Sequence, residues 1–307
     1  MKVLIVGAGI GGLSVAQALV RDGRDVTVFE RAPARREGGA AVTLWSNGTG
    51  VLEAMNVSLD GIGQRIDVLE QRDHQGALLL SVDVAKAASR FGHPHICLPR
   101  RQFLGRLADG LSATLIRYGQ ACAHIARDGS GVRVELADGA VEYGDVLIGA
   151  DGRSSVVRDV LWGRDPTEPS GWATWQGVTA ISHEITSSHR GVLFSGPAGL
   201  CGLMPAGEGL LQWWFDQRWT PDTPMSSSPL SALRERFGDW ATPVRDVLAA
   251  AHDDDVGFFP HYRHKVPGRW GKGPMTLVGD AAHSFPRVGV GRGAAPRWRS
   301  RGRAPQL

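Results

Sequence analysis

The feature that most constrains the fold of this 307-residue chain lies at its start. Residues Lys2 to Val6 (KVLIV) form a short apolar run of the kind that makes a strand buried on both faces. Gly7-Ala8-Gly9-Ile10-Gly11-Gly12 follows at once, and a helical spacing of apolar residues continues through Leu13, Ala16, Leu19 and Val20. Asp22-Gly23 ends that helix, and residues Asp25 to Glu30 (DVTVFE) read as a second strand. The order predicts a βαβ unit. A secretory leader would also show a Lys before an apolar stretch, with Ala16-Gln17-Ala18 as a mimic of its cleavage site, but four glycines interrupt this one. Within a βαβ unit, Gly7-x-Gly9-x-x-Gly12 has a physical meaning. The first glycine makes the tight turn, the second lets backbone approach a pyrophosphate, and the third lets helix and strand pack closely. The helix N-terminus adds free N–H groups and a partial positive charge. Glu30, 18 residues beyond Gly12, closes the second strand where a carboxylate can accept from ribose hydroxyls and disfavours a 2′-phosphate; Arg31 adjoins it. The glycine pattern alone does not separate NAD from FAD.

Further along, residues 101–111 carry apolar positions on one helical face. Residues 132–136 alternate, Asp138-Gly139 supplies a turn and 141–143 resume, which predicts a hairpin. A buried strand at 145–150 (DVLIGA) ends at Asp151-Gly152. From 172 to 215, β-like runs alternate with Gly/Pro turns, as in an antiparallel sheet. Two helices are expected near 229–237 and 242–251, and a last buried strand at 275–279. The αβ signals sit at the two ends and the all-β signals in the middle, so the expected architecture is two domains with an inserted sheet.

Composition sets limits on partners. The apolar share of 42% suits a sizeable core, and no apolar run approaches membrane-spanning length. Cys97, Cys122 and Cys201 are too few and too far apart for a disulfide framework or a CxxC zinc site, which points to a reducing cytoplasm. The net charge of +3 would suggest an anionic partner, but residues 287–307 hold six arginines and no acid. The remainder carries 28 basic against 31 acidic residues, with no basic stripe suited to nucleic acid. His93-Pro-His95 and His261-x-x-His264 lack Cys or carboxylate partners at ligand spacing, so no metal is expected. Asp253-Asp254-Asp255 reads as a solvated turn. Trp213 and Trp214 point to opposite faces of one strand, so at most one of the pair can line a pocket.

Two later stretches carry a family resemblance. Asp145-Val-Leu-Ile-Gly-Ala-Asp151-Gly152-Arg-Ser-Ser155-Val-Val-Arg158 resembles the second signature of class A FAD-dependent monooxygenases, the para-hydroxybenzoate hydroxylase-like family. Gly279-Asp280-Ala281-Ala282-His283-Ser-Phe-Pro286 resembles their third. With the glycine turn, three motifs stand in family order, and the resemblance covers residues 1 to about 286. It implies an α/β fold, with a Rossmann-like FAD-binding domain (βαβ, mostly parallel sheet) carrying an inserted antiparallel substrate sheet. Residues 1–70, 97–165 and 270–295 would form the first, 71–96 and 166–269 the second, and 296–307 an atypical basic tail.

The resemblance also implies a chemistry. NAD(P)H reduces bound FAD, O2 adds at flavin C4a, and the hydroperoxide hydroxylates an aromatic or otherwise activated small molecule. It gives Gly7, Gly9, Gly11, Gly12, Glu30, Arg31, Gly279 and Pro286 to the FAD site, and Asp280 to the ribityl chain. Asp151 and Gly152 would sit near both pyrophosphates, with Arg158 as an ordering cation. Arg36 resembles the arginine at the adenosine end, and Arg100, with Arg101 second, the one facing the pyrophosphate. A related flavin halogenase or reductase is an alternative, and the halogenase lacks its WxWxIP run here. No side chain stands out as a catalytic base.

The resemblance stops after Pro286. Arg287 replaces an expected proline, Gly289 to Ala295 still resembles a glycine-rich turn, and the basic run from Pro296 replaces a helix with a Leu-Glu-Asp-Ala-like stretch. Ser300-Arg301-Gly302-Arg303 can be encoded so that the next frame begins Leu-Glu-Asp, which points to a frameshifted or truncated gene; a disordered basic tail is the alternative. A truncated product would bind flavin without full activity.

Overall fold

A computed structural model describes residues 1–35, 39–164, 167–224 and 226–284. At its centre is a six-stranded sheet in the order Gly271–Lys272, Met275–Leu277, Val146–Gly149, Lys2–Val6, Asp25–Glu30, Ile116–Tyr118. All neighbours run parallel except Gly271–Lys272. The KVLIV run is continuous because both faces are covered. Val3 and Ile5 pack with Leu13 and Ala16 of the helix Ile10–Arg21 and with Phe103, Leu104 and Leu107 of the helix Arg100–Asp109. Leu4 and Val6 pack on the opposite side with Val132 and Val134 of a three-stranded sheet (Cys122–Asp128, Gly131–Leu136, Val141–Gly144) and with Val157 of the helix Val156–Trp162. The expected hairpin is therefore two strands of that sheet, which roofs one face of the parallel sheet.

The inserted sheet has seven strands in the order Gly257–Arg263, Glu168–Ala180, Leu210–Arg218, Gly199–Gly207, Arg190–Gly196, Val68–Asp73, Leu78–Asp83. Its neighbours are antiparallel except Arg190–Gly196 beside Val68–Asp73. Alternation divides its side chains cleanly. Trp175, Phe194, Trp213 and Phe215 face the helices Pro229–Phe237 and Thr242–Ala250 and form the largest aromatic core. The opposite face, including Val178, Met204, Gln212 and Trp214, turns towards a small sheet of Ala41–Leu44, His95–Pro99 and Gln64–Ile66. That small sheet joins the two large ones. The expected α/β architecture with an inserted antiparallel sheet is the one observed.

The inserted sheet includes Val68–Asp73 and Leu78–Asp83, and the triple aspartate, read as a solvated turn, is an exposed single 3-10 turn, Asp253–Asp255. Among the described residues, no helix is long and apolar enough to cross a membrane.

Candidate functional site

The first turn after Lys2–Val6 is built around two glycines. Gly7 has φ +105°, and a Cβ there would overlap the Ala150 carbonyl at the end of the neighbouring strand. A Cβ on Gly12 would overlap the Gly7 carbonyl oxygen, so only glycine lets the helix start this close to the strand. Gly9 is the N-cap residue of the helix Ile10–Arg21 and lines the cleft, with nothing within 4 Å of where its Cβ would stand. Glu30 braces this turn. One carboxylate oxygen accepts from the Ala8 N–H at 2.8 Å and the other from the Ala32 N–H at 2.9 Å. The acid is thereby fixed at the rim of the space that Gly9 leaves open.

The second motif folds around Asp151. Its carboxylate accepts from the Ser155 hydroxyl at 2.6 Å and from the Val156 N–H at 2.7 Å, which closes the loop onto the start of the helix Val156–Trp162. Ser155 in turn caps that helix by accepting from the Arg158 N–H at 2.9 Å. Burial pushes the Asp151 carboxyl up from its ordinary value, against hydrogen bonds that pull it down. Asp280 opens the helix Asp280–His283 directly after the strand Met275–Leu277, with Gly279 as its N-cap residue.

These motifs meet in one cleft of about 710 Å³. Gly7, Gly9, Glu30, Asp151, Gly152 and Asp280 all line it. Arg31 and Arg100 also reach it; Arg100 runs beside Gly39, whereas Arg101 is exposed and stands outside the lining. The far wall comes from the inserted sheet, through Thr174, Gln176 and residues 258–262. There the Thr174 hydroxyl donates to the Asp216 carboxylate and lies 2.7 Å from His261 Nε2. A hydroxyl with its one proton committed must accept at its second contact, so His261 carries a proton on Nε2. Cys122 lines the cleft as well, and burial, with the Asp151 charge second, pushes its thiol up to about 11.

Four of the expected contact residues stand away from the cleft wall. Gly12 packs against the Gly7 turn, Gly11 faces Val278 and Gly279 of the third motif, and Gly279 stands behind Asp280. Arg158 is turned into the fold: its guanidinium donates to the Arg153 carbonyl at 2.8 Å and to the Ala281 carbonyl at 3.3 Å, tying the second motif to the third. A buried guanidinium needs such acceptors, and these carbonyls supply them away from the cleft. Arg36 and Pro286 lie outside the described residues. His93 lies 2.9 Å from the Glu53 carboxylate and His95 bonds Ser46 at 2.8 Å, both apart from the cleft lining. Thr174, Gln176 and His261 also line the cleft, brought there by the pairing of Glu168–Ala180 with Gly257–Arg263, which no local pattern in the sequence marks.

A parallel sheet with a glycine turn, an anchored acid and two further acidic motifs around one cleft defines a dinucleotide-binding α/β protein. The profile of the FAD binding domain family matches residues 1–294. The chain belongs to this family, that of FAD-dependent aromatic hydroxylases and monooxygenases. It is 33% identical over 301 residues to the Aurachin C monooxygenase/isomerase of Stigmatella aurantiaca, covering 95% of this chain and 76% of that one. It is 29% identical over 301 residues to the FAD-dependent urate hydroxylase of Klebsiella oxytoca, covering 96% and 78%. Among solved structures it resembles Klebsiella pneumoniae HpxO complexed with FAD and uric acid, with a TM-score of 0.87 at 26% identity over 93% of this chain and 74% of that one.

Proposed function

We propose that the cleft holds FAD and that the chain is an NAD(P)H- and O2-using monooxygenase acting on an activated, planar aromatic small molecule. The observation that carries the reading is Glu30. Both its oxygens are tied to backbone N–H groups, so an acid is held at the rim of the cleft that Gly7, Gly9 and Asp280 also line. Gly7, Gly9 and the adjoining helix N-terminus suit the pyrophosphate. Glu30 suits the ribose hydroxyls, Asp280 the ribityl hydroxyls, and Arg31 and Arg100 the anionic groups between them. Gly11, Gly12, Gly279 and Arg158 act from behind the wall, by packing the motifs that carry the lining residues. Residues 1–70, 97–165 and 270–295 make up the cofactor domain in this reading, and 71–96 and 166–269 the substrate domain.

When bound, FAD supplies the electron transfer from NAD(P)H and the activation of O2. The net reaction takes an aromatic C–H, O2, NAD(P)H and a proton to a phenol, water and NAD(P)+. The protein's part is to bind, to orient and to exclude water. The inserted sheet does the last two by walling the cleft with Thr174, Gln176 and Phe259. Urate, named for the Klebsiella relatives, is a planar ring substrate of the class proposed. The three thiols are free, which suits the cytoplasm.

The test is oxidation of NADH or NADPH by FAD-loaded protein in air, with and without a panel of planar phenols. Stimulation by a phenol, with one atom from 18O2 in the product, is expected. An FAD-loaded chain that oxidises neither coenzyme under any condition would contradict the reading.

A further inference from the structure

The two walls of the cleft touch through Arg153. This residue follows Gly152 in the second motif, lines the cleft and is exposed, which puts it at the mouth. Its guanidinium lies over the Tyr262 ring, 4.5 Å from the centroid, and its Nη1 donates to the Pro260 carbonyl at 3.3 Å. Tyr262 and Pro260 belong to the strand Gly257–Arg263 of the inserted sheet and also line the cleft. One side chain of the motif-bearing wall therefore reaches across to the opposite wall.

Both ends of this contact are anchored. The Arg153 carbonyl accepts from the buried Arg158 guanidinium at 2.8 Å, and Gly152, with φ +81°, makes the turn that presents the side chain. Asp151 spends its carboxylate on Ser155 and Val156, so it does not draw the guanidinium inward. On the other wall, Tyr262 is half-buried and backed by Trp219, with ring centroids 6.3 Å apart. Trp219 is itself buried and packs on Phe258. The ladder is irregular at this point: Pro169 pairs with Tyr262 and Ala173 with Pro260, so residues 170–172 stand opposite His261 alone. A bulge of this kind bends the strand and re-aims what it carries, and Pro260 has no N–H to give to the ladder. Between these anchors the contact itself is weak. An exposed cation–π contact and one long hydrogen bond shift an equilibrium several-fold, not by orders of magnitude, so they break and reform readily. By contrast, the small sheet joins the walls through buried bonds such as that from Gln212 to the Ala41 carbonyl at 3.0 Å. The Arg153 side is the one that can open.

We propose that Arg153 and Tyr262 form a strap across the cleft mouth that must open for FAD to enter or leave. The inference rests on the proposed function, which makes FAD the occupant. Both partners are protein groups, so the strap closes with or without the cofactor, and breaking it lowers the barrier in both directions. Entry is timed by stopped-flow quenching of flavin fluorescence, and release by its recovery on dilution. Arg153→Ala is expected to speed both by about fivefold and to leave Kd within about twofold. Tyr262→Leu should act alike, whereas Tyr262→Phe keeps the ring face and should match the unaltered protein. The double variant Arg153→Ala/Tyr262→Leu should be no faster than either single one, because both remove the same contact. Exchange rates that ignore Arg153→Ala overturn the inference. Faster release with entry unchanged also overturns it, since Kd would then weaken by the full factor and Arg153 would be a ligand of FAD. A chain that takes up no FAD overturns the proposed function itself, an outcome distinct from FAD uptake at unaltered rates.

Discussion

Gly12 and Gly9 separate two jobs that one motif performs. A methyl at Gly12 collides with the Gly7 carbonyl, whereas one at Gly9 meets nothing within 4 Å in the protein but stands at the cleft. Gly12→Ala should therefore lower both the melting temperature and FAD affinity. Gly9→Ala should leave the melting temperature of the FAD-free protein within about 2 °C and weaken FAD by about tenfold or more. Titration with FAD and thermal melts of both variants check this. Cys122 offers a second single-residue probe. With its thiol pushed up to about 11 by burial and by Asp151, alkylation by iodoacetamide should be slow at pH 8 and speed up as pH rises. Because Cys122 lines the cleft, added FAD should slow it further. Peptide mass mapping over time reads both effects; alkylation unaffected by FAD would place Cys122 away from the cofactor.

At the scale of elements, Arg158 joins the Asp151 loop to the helix Asp280–His283 through carbonyls 128 residues apart in sequence, those of Arg153 and Ala281. Arg158→Met removes charge-assisted hydrogen bonds from a buried position, and a loss of about 2–3 kcal/mol in urea unfolding is expected. Glu142 does a similar job at the surface, accepting from Lys2 at 3.0 Å and from Arg117. Burial alone would raise its pKa, but the hydrogen bonds and charges of Arg117 and Lys2 outweigh it and hold the carboxyl below its ordinary 4.5. A depressed acid contributes stability above its unfolded pKa and loses it as pH falls through the folded value. Glu142→Gln should thus cost about 0.5–1 kcal/mol at pH 7, and the gap to the unaltered protein should close on acidification below pH 4.5. The elements differ in how readable they are. Lys2–Val6, the glycine turn and Ile10–Arg21 are legible because their pattern is local and periodic. The small sheet is not, because Ala41–Leu44 finds its partner at His95–Pro99, far along the chain. Ser46–Ala54 hides as well, since Gly48 and Gly50 depress its helix propensity.

For the whole molecule, the motif residues of the cleft were readable because each motif carries its own short-range geometry. The opposite wall was not, since Thr174, Gln176 and His261 reach the cleft only through the register of a seven-stranded sheet. That register brings the inserted sheet to the cleft beside the glycine turn and makes one cleft from distant segments. Binding to such a space stabilises the folded chain by mass action, about 2.7 kcal/mol when the ligand stands at a hundredfold its Kd. The most direct measurement is therefore an equilibrium titration of the purified chain with FAD, followed by flavin absorbance and thermal melting together. Uptake of one FAD per chain, with a raised melting temperature that Gly12→Ala diminishes, is the expected result. A folded chain whose melting temperature and spectrum ignore FAD would contradict it.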